Sequence, residues 1–394
     1  SRDLLESAGG ESYIYALAAA VPDASAVENH VKLLHEKYLL RKLIQECNDI
    51  IRDAYQGGIE VQELLDRAER NILQLDQNLP SGRIYDLDAA IRSFIDTYEI
   101  EEIVDEFGRI HTTLKKPRGL ETGYVNLDRK LGGLKPGDLI IVAARPGVGK
   151  TALILNFAHS MAAKGHRVGL FSLEMSKEQV ALRLLAMTTG IPSDRLDQGN
   201  FTREEIQILT RRYGELSRLP IYIDDTSVLN IRALKNRARR LWAQHRVEII
   251  FVDYLQLMEG LTPGEEGGRV QEVTEISRGL KQIARELQIP VVACSQLSRK
   301  VEQRSMHRPI LSDLRESGSL EQDADVVILM YREDYYDKQR GEVITSETAE
   351  MGSRVEINVA KHRNGPTGFV YLTYLHPFLR FEVYGGEDVP LPEY

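Results

Sequence analysis

Cysteine is nearly absent: the chain has two in 394 residues, Cys47 and Cys294. They share no CxxC spacing, so neither a disulfide framework nor a cysteine-built zinc site organises the fold, and such usage fits a reducing compartment. Basic charge is in deficit, with 50 Lys and Arg against 59 Asp and Glu and a net charge of −9. This excludes a protein that coats nucleic acid by bulk charge, but not one that grips it through local basic loops. Long apolar runs are missing too, none approaching the roughly 18 residues of a membrane-spanning helix. The apolar stretch at residues 13–21 is preceded by Arg2 alone against Asp3, Glu6 and Glu11, so it lacks the basic flank of a signal peptide. A cytoplasmic location with no membrane partner is expected. The chain opens without Met, on a helix-like Asp3-Leu4-Leu5, and is expected to begin inside a domain.

What is present is globular: 42% hydrophobic and 28% charged residues exclude wholesale disorder. The length allows about two and a half domains at roughly 150 residues each. From residue 25 to 79, Val31, Leu34, Tyr38 and Ile44, then Val61, Leu64, Leu65, Ala68 and Ile72, recur at helical spacing around Gly57-Gly58. That pattern predicts a helical hairpin without strands. Leu87, Ile91, Phe94, Ile95 and Tyr98 then line one face of an isolated helix that no sequence neighbour covers; either a distant part of its own chain or a second subunit is expected to. From about residue 118 the texture changes. Apolar runs at 139–144, 168–173, 221–223, 249–252, 291–294 and 326–330 alternate with helical periods, two of which open on capping boxes, Ser176 with Gln179 and Thr202 with Glu205. Alternation of this kind predicts an α/β fold around a mostly parallel sheet covered on both faces. Runs at 355–360 and 369–375, flanking Asn364-Gly365 and Gly368, predict a terminal hairpin. The expected domains are 1–80, helical; 81–117, a linker with the isolated helix; and 118–394, the α/β domain.

The strongest chemical signal is Ala144-Arg145-Pro146-Gly147-Val148-Gly149-Lys150-Thr151, between a predicted strand and a predicted helix. This is the context of a phosphate-binding loop. Gly147 and Gly149 let backbone N–H groups approach phosphate oxygens, the helix N-terminus adds partial positive charge, Lys150 supplies a full one, and the Thr151 hydroxyl suits Mg²⁺. Ala144 stands where the usual first glycine would be. The loop needs a carboxylate at a neighbouring strand end; Asp253 closes an apolar strand and is preferred over Asp224 and Asp225, whose strand is shorter. Glu174 and Gln296 also end strands, where one can activate the attacking water and the other sense the γ-phosphate. Residues 299–315 place Arg299, Lys300, Arg304, Arg308 and Arg315 against Glu302 and Asp313, a local basic excess in an acidic chain.

These segments together resemble the DnaB-type replicative helicases of bacteria and phages. The likeness is carried by ARPGVGKT, Ser172-Leu173-Glu174-Met175, VDYLQLM, Ser295-Gln296-Leu297-Ser298-Arg299, DLRESGSLEQDAD and AKHRNGPTG, and spans essentially the whole chain. It implies a RecA-like P-loop motor following the end of an N-terminal domain, whose first part is expected to be absent, and a linker helix. It further implies a homohexameric ring with ATP between subunits, Glu174 as catalytic base, Asp253 and Thr151 on the metal and Gln296 as sensor. Lys361 and Arg363 would reach into the neighbour's site, and Arg315, Glu316 and Gly318 would face one DNA strand. Movement 5′ to 3′ on single-stranded DNA, with a primase and a helicase loader as partners, is implied as well. The nearest alternative is a RecA-like recombinase or loader ATPase that binds DNA without processive unwinding.

Overall fold

The computed structural model describes residues 24–56, 64, 67–68, 71, 86–88, 91–92, 99–104, 110–115, 119–227, 229–258, 268–304, 307–339 and 352–385. The expectations about the opening residues, Val61, Leu65, Ile72, Phe94, Ile95 and Tyr98 therefore lie outside the described residues. The chain divides into two compact units, residues 1–115 and 116–394.

The first unit is built on the 33-residue helix Ala24–Gln56. Helical positions at 64, 67, 68 and 71 run back along it, tied by Arg67 to Asp53 at 3.1 Å and by Asn71 Nδ2 donating to Glu46 at 3.0 Å. This is the expected hairpin. Its apolar face is not closed, since Tyr38, Ile44 and Ile51 stay at least half exposed. Helical Leu87 and Ile91 are exposed likewise. The first unit also holds an element that the sequence pattern does not predict: strands β1 (Glu99–Val104) and β2 (Ile110–Lys115) pair antiparallel from Glu99↔Lys115 to Val104↔Ile110. Ile100, Ile103, Val104, Ile110, Thr112 and Thr113 supply the β-branched content, but neither run alternates cleanly enough to announce a strand.

The second unit is a nine-stranded sheet in the order β11-β10-β9-β8-β3-β7-β6-β4-β5. Strands β3 (Leu139–Ala144), β4 (Val168–Ser172), β5 (Ile221–Asp224), β6 (Ile249–Asp253), β7 (Val291–Gln296) and β8 (Val326–Arg332) are mutually parallel. Strands β9 (Ser353–His362), β10 (Gly368–Leu375) and β11 (Arg380–Val383) continue the sheet antiparallel. Every residue of β3, β4, β6 and β8 is buried, as strands covered on both faces require. Alternation sorts them: Ile140, Val142, Phe251 and Cys294 enter one core with Leu153, Phe157 and Met161 of helix Lys150–Ala163. Ile141, Val252 and Ala293 enter the other with Ile276, Leu280 and Ile283 of helix Gly268–Leu287. Both expected capping boxes form, at Ser176–Gln179 and Thr202–Glu205. The terminal hairpin forms as β9–β10; β11, short and charged, is an addition to it. Between Val327 and Ile328 the β8–β9 register shifts, an irregularity that re-aims the strand just where Lys361 emerges.

Candidate functional site

Parallel strands deliver their carboxyl ends to one edge, and there the site assembles. Ala144 of β3 lies in register with Gln296 of β7, and Ser172 of β4 with Asp253 of β6. The loop 145–149 turns from Ala144 into helix Lys150–Ala163, with Gly147 at φ +80° and Gly149 at φ +117°. Both values lie in the left-handed region where glycine alone is unstrained. Lys150 Nζ donates to the Ala144 carbonyl at 3.2 Å. Burial pulls the Lys150 pKa down, while Cys294, Asp253 and Glu174 act to keep it charged.

Thr151 Oγ1 donates to Asp253 Oδ2 at 2.6 Å. Asp253 is 2% exposed, and burial raises its pKa against the Thr151 hydrogen bond and the charge of Lys150. Its Oδ1 is buried with no hydrogen-bond partner among the described residues. A hydroxyl and one orphaned carboxylate oxygen facing a phosphate loop is the donor set of a hard, largely hydrated divalent cation. No cluster of three or more His, Cys, Asp or Glu suited to a protein-only metal cage occurs among the described residues. Asp224 is occupied elsewhere: it accepts from Thr226 and from Arg237 at 2.9 Å. Asp225 accepts from the Lys177 backbone. Glu174, two residues beyond β4, is exposed on the same edge.

Gln296 is braced by a residue that motif reading passed over. Gln256 Oε1 accepts from the Gln296 backbone N–H at 3.1 Å, and its Nε2 donates to Ser295 Oγ at 2.9 Å. Arg332 was also missed. Only 2% exposed, it is held by both oxygens of Asp334, reaches the Val148 carbonyl at 3.4 Å and lies over the Tyr374 ring. An arginine directly after an apolar strand, in Met330-Tyr331-Arg332-Glu333-Asp334, is the signal that could have drawn notice. Pro146 and Val148 sit in the loop as expected. Arg145 contributes its backbone there, but its guanidinium turns away to the Leu297 carbonyl at 2.7 Å and to Glu302.

Lys361 and Arg363 stand at the opposite edge. Asp325 N donates to the Leu139 carbonyl and Arg363 N to the Asp325 carbonyl, so Arg363 is level with the start of β3. Five strand residues, about 17 Å at 3.3 Å each, separate that level from the loop. Lys361 Nζ donates to the carbonyls of Glu321, Gln322 and Ala324, and Arg363 Nη2 to that of Gln322 at 2.7 Å. Burial, followed by the Arg363 charge, lowers the Lys361 pKa.

Pairing in the fold narrows the basic excess at 299–315 to particular residues. Arg304 makes two hydrogen bonds to Asp313, at 2.6 and 2.7 Å, and Arg308 pairs with Glu356 at 3.3 Å. Arg299 and Lys300 are exposed. The backbone of Arg315 and Glu316 belongs to the 3₁₀ turn Leu311–Ser317, and Gly318 starts helix Gly318–Asp323.

A parallel sheet with this order, a glycine loop running into a buried helix and an acid at the adjacent strand end define a RecA-like P-loop ATPase. Residues 119–383 match the family described as DnaB-like helicase C terminal domain. The chain is 42% identical over 380 residues to the replicative DNA helicase DnaC of Bacillus subtilis strain 168, covering 96% of this chain and 80% of that protein. It is 42% identical over 378 residues to the replicative DNA helicase DnaB of Geobacillus stearothermophilus, covering 96% and 79%. Among solved structures it resembles a DnaB-like replicative helicase described with its interactions with primase, with a TM-score of 0.70, 32% identity and coverage of 96% of this chain and 84% of that one. A second solved structure, described as an ATPase domain, is similar with a TM-score of 0.62, 38% identity and coverage of 68% and 92%. The chain belongs to the DnaB family, and it is an ATP-dependent replicative DNA helicase. No helix among the described residues is long and apolar enough to cross a membrane.

Proposed function

We propose that the chain works as a homohexameric ring around one DNA strand, each ATP bound by the loop of one subunit and completed by Lys361 and Arg363 of the next. The observation that carries this reading is the separation of the two halves: within one chain the basic pair stands at the amino edge of the sheet and the loop at the carboxyl edge. A head-to-tail ring brings unlike edges of neighbouring copies together. In each site the loop amides and Lys150 hold the β- and γ-phosphates, and Glu174 takes the proton of the attacking water. Gln296 reads the γ-phosphate, and Lys361 and Arg363 stabilise charge developing on its oxygens. Thr151 and Asp253 would hold Mg²⁺ with intervening water. The ion, when bound, neutralises phosphate charge.

Residues 81–117 act as linker in this reading. The exposed Leu87 and Ile91 suit an apolar groove of 590 Å³ on a neighbouring motor, lined by Leu182, Leu185, Leu196, Phe201, Leu209 and Tyr213. Arg315, Glu316 and Gly318 line the channel and touch the phosphates of a single strand without reading bases, which movement along any sequence requires. Movement is 5′ to 3′, in the cytoplasm, with a primase and a loader as partners. Strand displacement from a forked duplex with a 5′ tail tests the reading. Mg-ATP is expected to drive displacement that Lys150→Ala abolishes. ATP hydrolysis without displacement, the behaviour of a recombinase or loader ATPase, would contradict it.

A further inference from the structure

We infer that Arg145 and Glu302 form a strut through which the nucleotide state of the phosphate loop sets the grip of the DNA-facing segment. The inference rests on the proposed reading of Arg315, Glu316 and Gly318, at the end of that segment, as the DNA contacts. Arg145 is the first residue after β3, and its side chain is only 9% exposed. Its Nη1 donates to the Leu297 carbonyl at 2.7 Å, its Nε to Glu302 Oε1 at 2.8 Å, and Nη2 lies 2.7 Å from the same oxygen. One planar guanidinium thus clasps the exit of β7, right after Gln296, and the 3₁₀ turn Arg299–Gln303. Lysine has no such fork.

Beyond Glu302 the path is continuous. Arg304, next after that turn, is fixed by two hydrogen bonds to the buried Asp313. Asp313 also accepts from the Ile310 backbone N–H at 2.8 Å, and its carbonyl accepts from Ser298 at 3.1 Å. It lies in the turn Leu311–Ser317, two residues before Arg315. A cavity of 480 Å³ bounded by Arg145, Gln296, Ser298, Lys300 and Asp313 opens beside the strut, so the polar contacts bridge a gap where packing is incomplete. A shift of the loop on binding or losing the γ-phosphate carries Arg145 with it, and Glu302 with Arg145. Arg145 and Glu302 are therefore positioning residues: neither needs to touch DNA to change how the segment holds it.

Coupling between two sites is reciprocal and measurable as one ratio. The affinity of the full chain for a labelled oligothymidylate would be measured with Mg-ADP and with a non-hydrolysable ATP analogue. In the unaltered chain the two affinities are expected to differ by about 5–150-fold. Glu302→Gln keeps the volume and removes the charge. The ratio is expected to collapse to within about 2-fold of one, with DNA-free hydrolysis and analogue affinity unchanged, since only the coupling free energy is lost. A fixed structural brace would instead weaken DNA binding equally in both nucleotide states. Arg145→Lys, which keeps charge but not the fork, should give an intermediate ratio. An unaltered ratio in either variant, or equal weakening in both states, would overturn the strut. Failure of the unaltered chain to bind the oligonucleotide would overturn the DNA-facing reading along with it.

Discussion

At the carboxyl edge of the sheet, Lys150, Thr151, Asp253 and Gln296 contact the loop, one another or an adjacent strand end. At the amino edge, Lys361 and Arg363 contact backbone carbonyls, with Asp325 3.8 Å from Arg363. The first region leaves one carboxylate oxygen, Asp253 Oδ1, without a hydrogen-bond partner among the described residues. The second holds two cations beside the β9–β10 turn, at the sheet edge opposite the loop. Asp253 is sealed from water, whereas Arg363 keeps 46% of its side chain exposed. On the proposed reading one edge supplies the phosphate loop with its acid and the other an exposed basic pair, and either one alone would be an incomplete enzyme.

The comparison can be broken first at Arg363. On the shared-site reading, Arg363→Ala lowers ATP turnover by about 10³–10⁵-fold, the range seen for fingers that meet transferring phosphoryl groups. As a surface cation it would contribute no more than about 1 kcal/mol of stability and nothing to rate. Steady-state hydrolysis decides. Glu174→Gln sharpens the other edge: loss of a positioned base costs about 10²–10⁴-fold in turnover, and nucleotide affinity, measured by direct titration, should hold. Titration probes both edges together. Lys150 and Lys361 are each held below the ordinary lysine value of 10.5 by burial. Lowered pKa values mean that charge is lost sooner as pH rises, so the alkaline limb of the turnover profile should fall below 10.5; a limb at or above that value would contradict the assignment. The smallest effect belongs to a residue outside the proposed chemistry. Ser176→Ala removes the cap of helix Lys177–Thr189 and should cost about 1 kcal/mol, seen as a lower melting temperature with turnover per folded ring unchanged.

Much of the motor is legible in the sequence because its signals are local. Six parallel strands announce themselves as short apolar runs, and the phosphate loop needs only eight consecutive residues. Both capping boxes are four-residue patterns. What escapes reading is made by distance. Arg145 meets Glu302 across 157 positions, and nothing near either residue marks the pair. Gln256 bracing Gln296 and Arg332 reaching the Val148 carbonyl are equally non-local. Residue counts give the charge of the 299–315 segment but not its pairing, for the same reason: Arg308 meets Glu356, and Glu302 meets Arg145, only in the fold. The β1–β2 pair and β11 fall below the threshold of pattern because four to six residues rich in charge carry too little alternation.

The central claim, that one site is assembled from two copies, is tested most directly by mixing two dead chains. Lys150→Ala and Arg363→Ala are each expected to be inactive. If neighbours share each site, random co-assembly pairs an intact loop with an intact finger at about one interface in four, and ATP hydrolysis should reappear in the mixture. A mixture that forms rings yet hydrolyses no faster than its two parents would contradict the account.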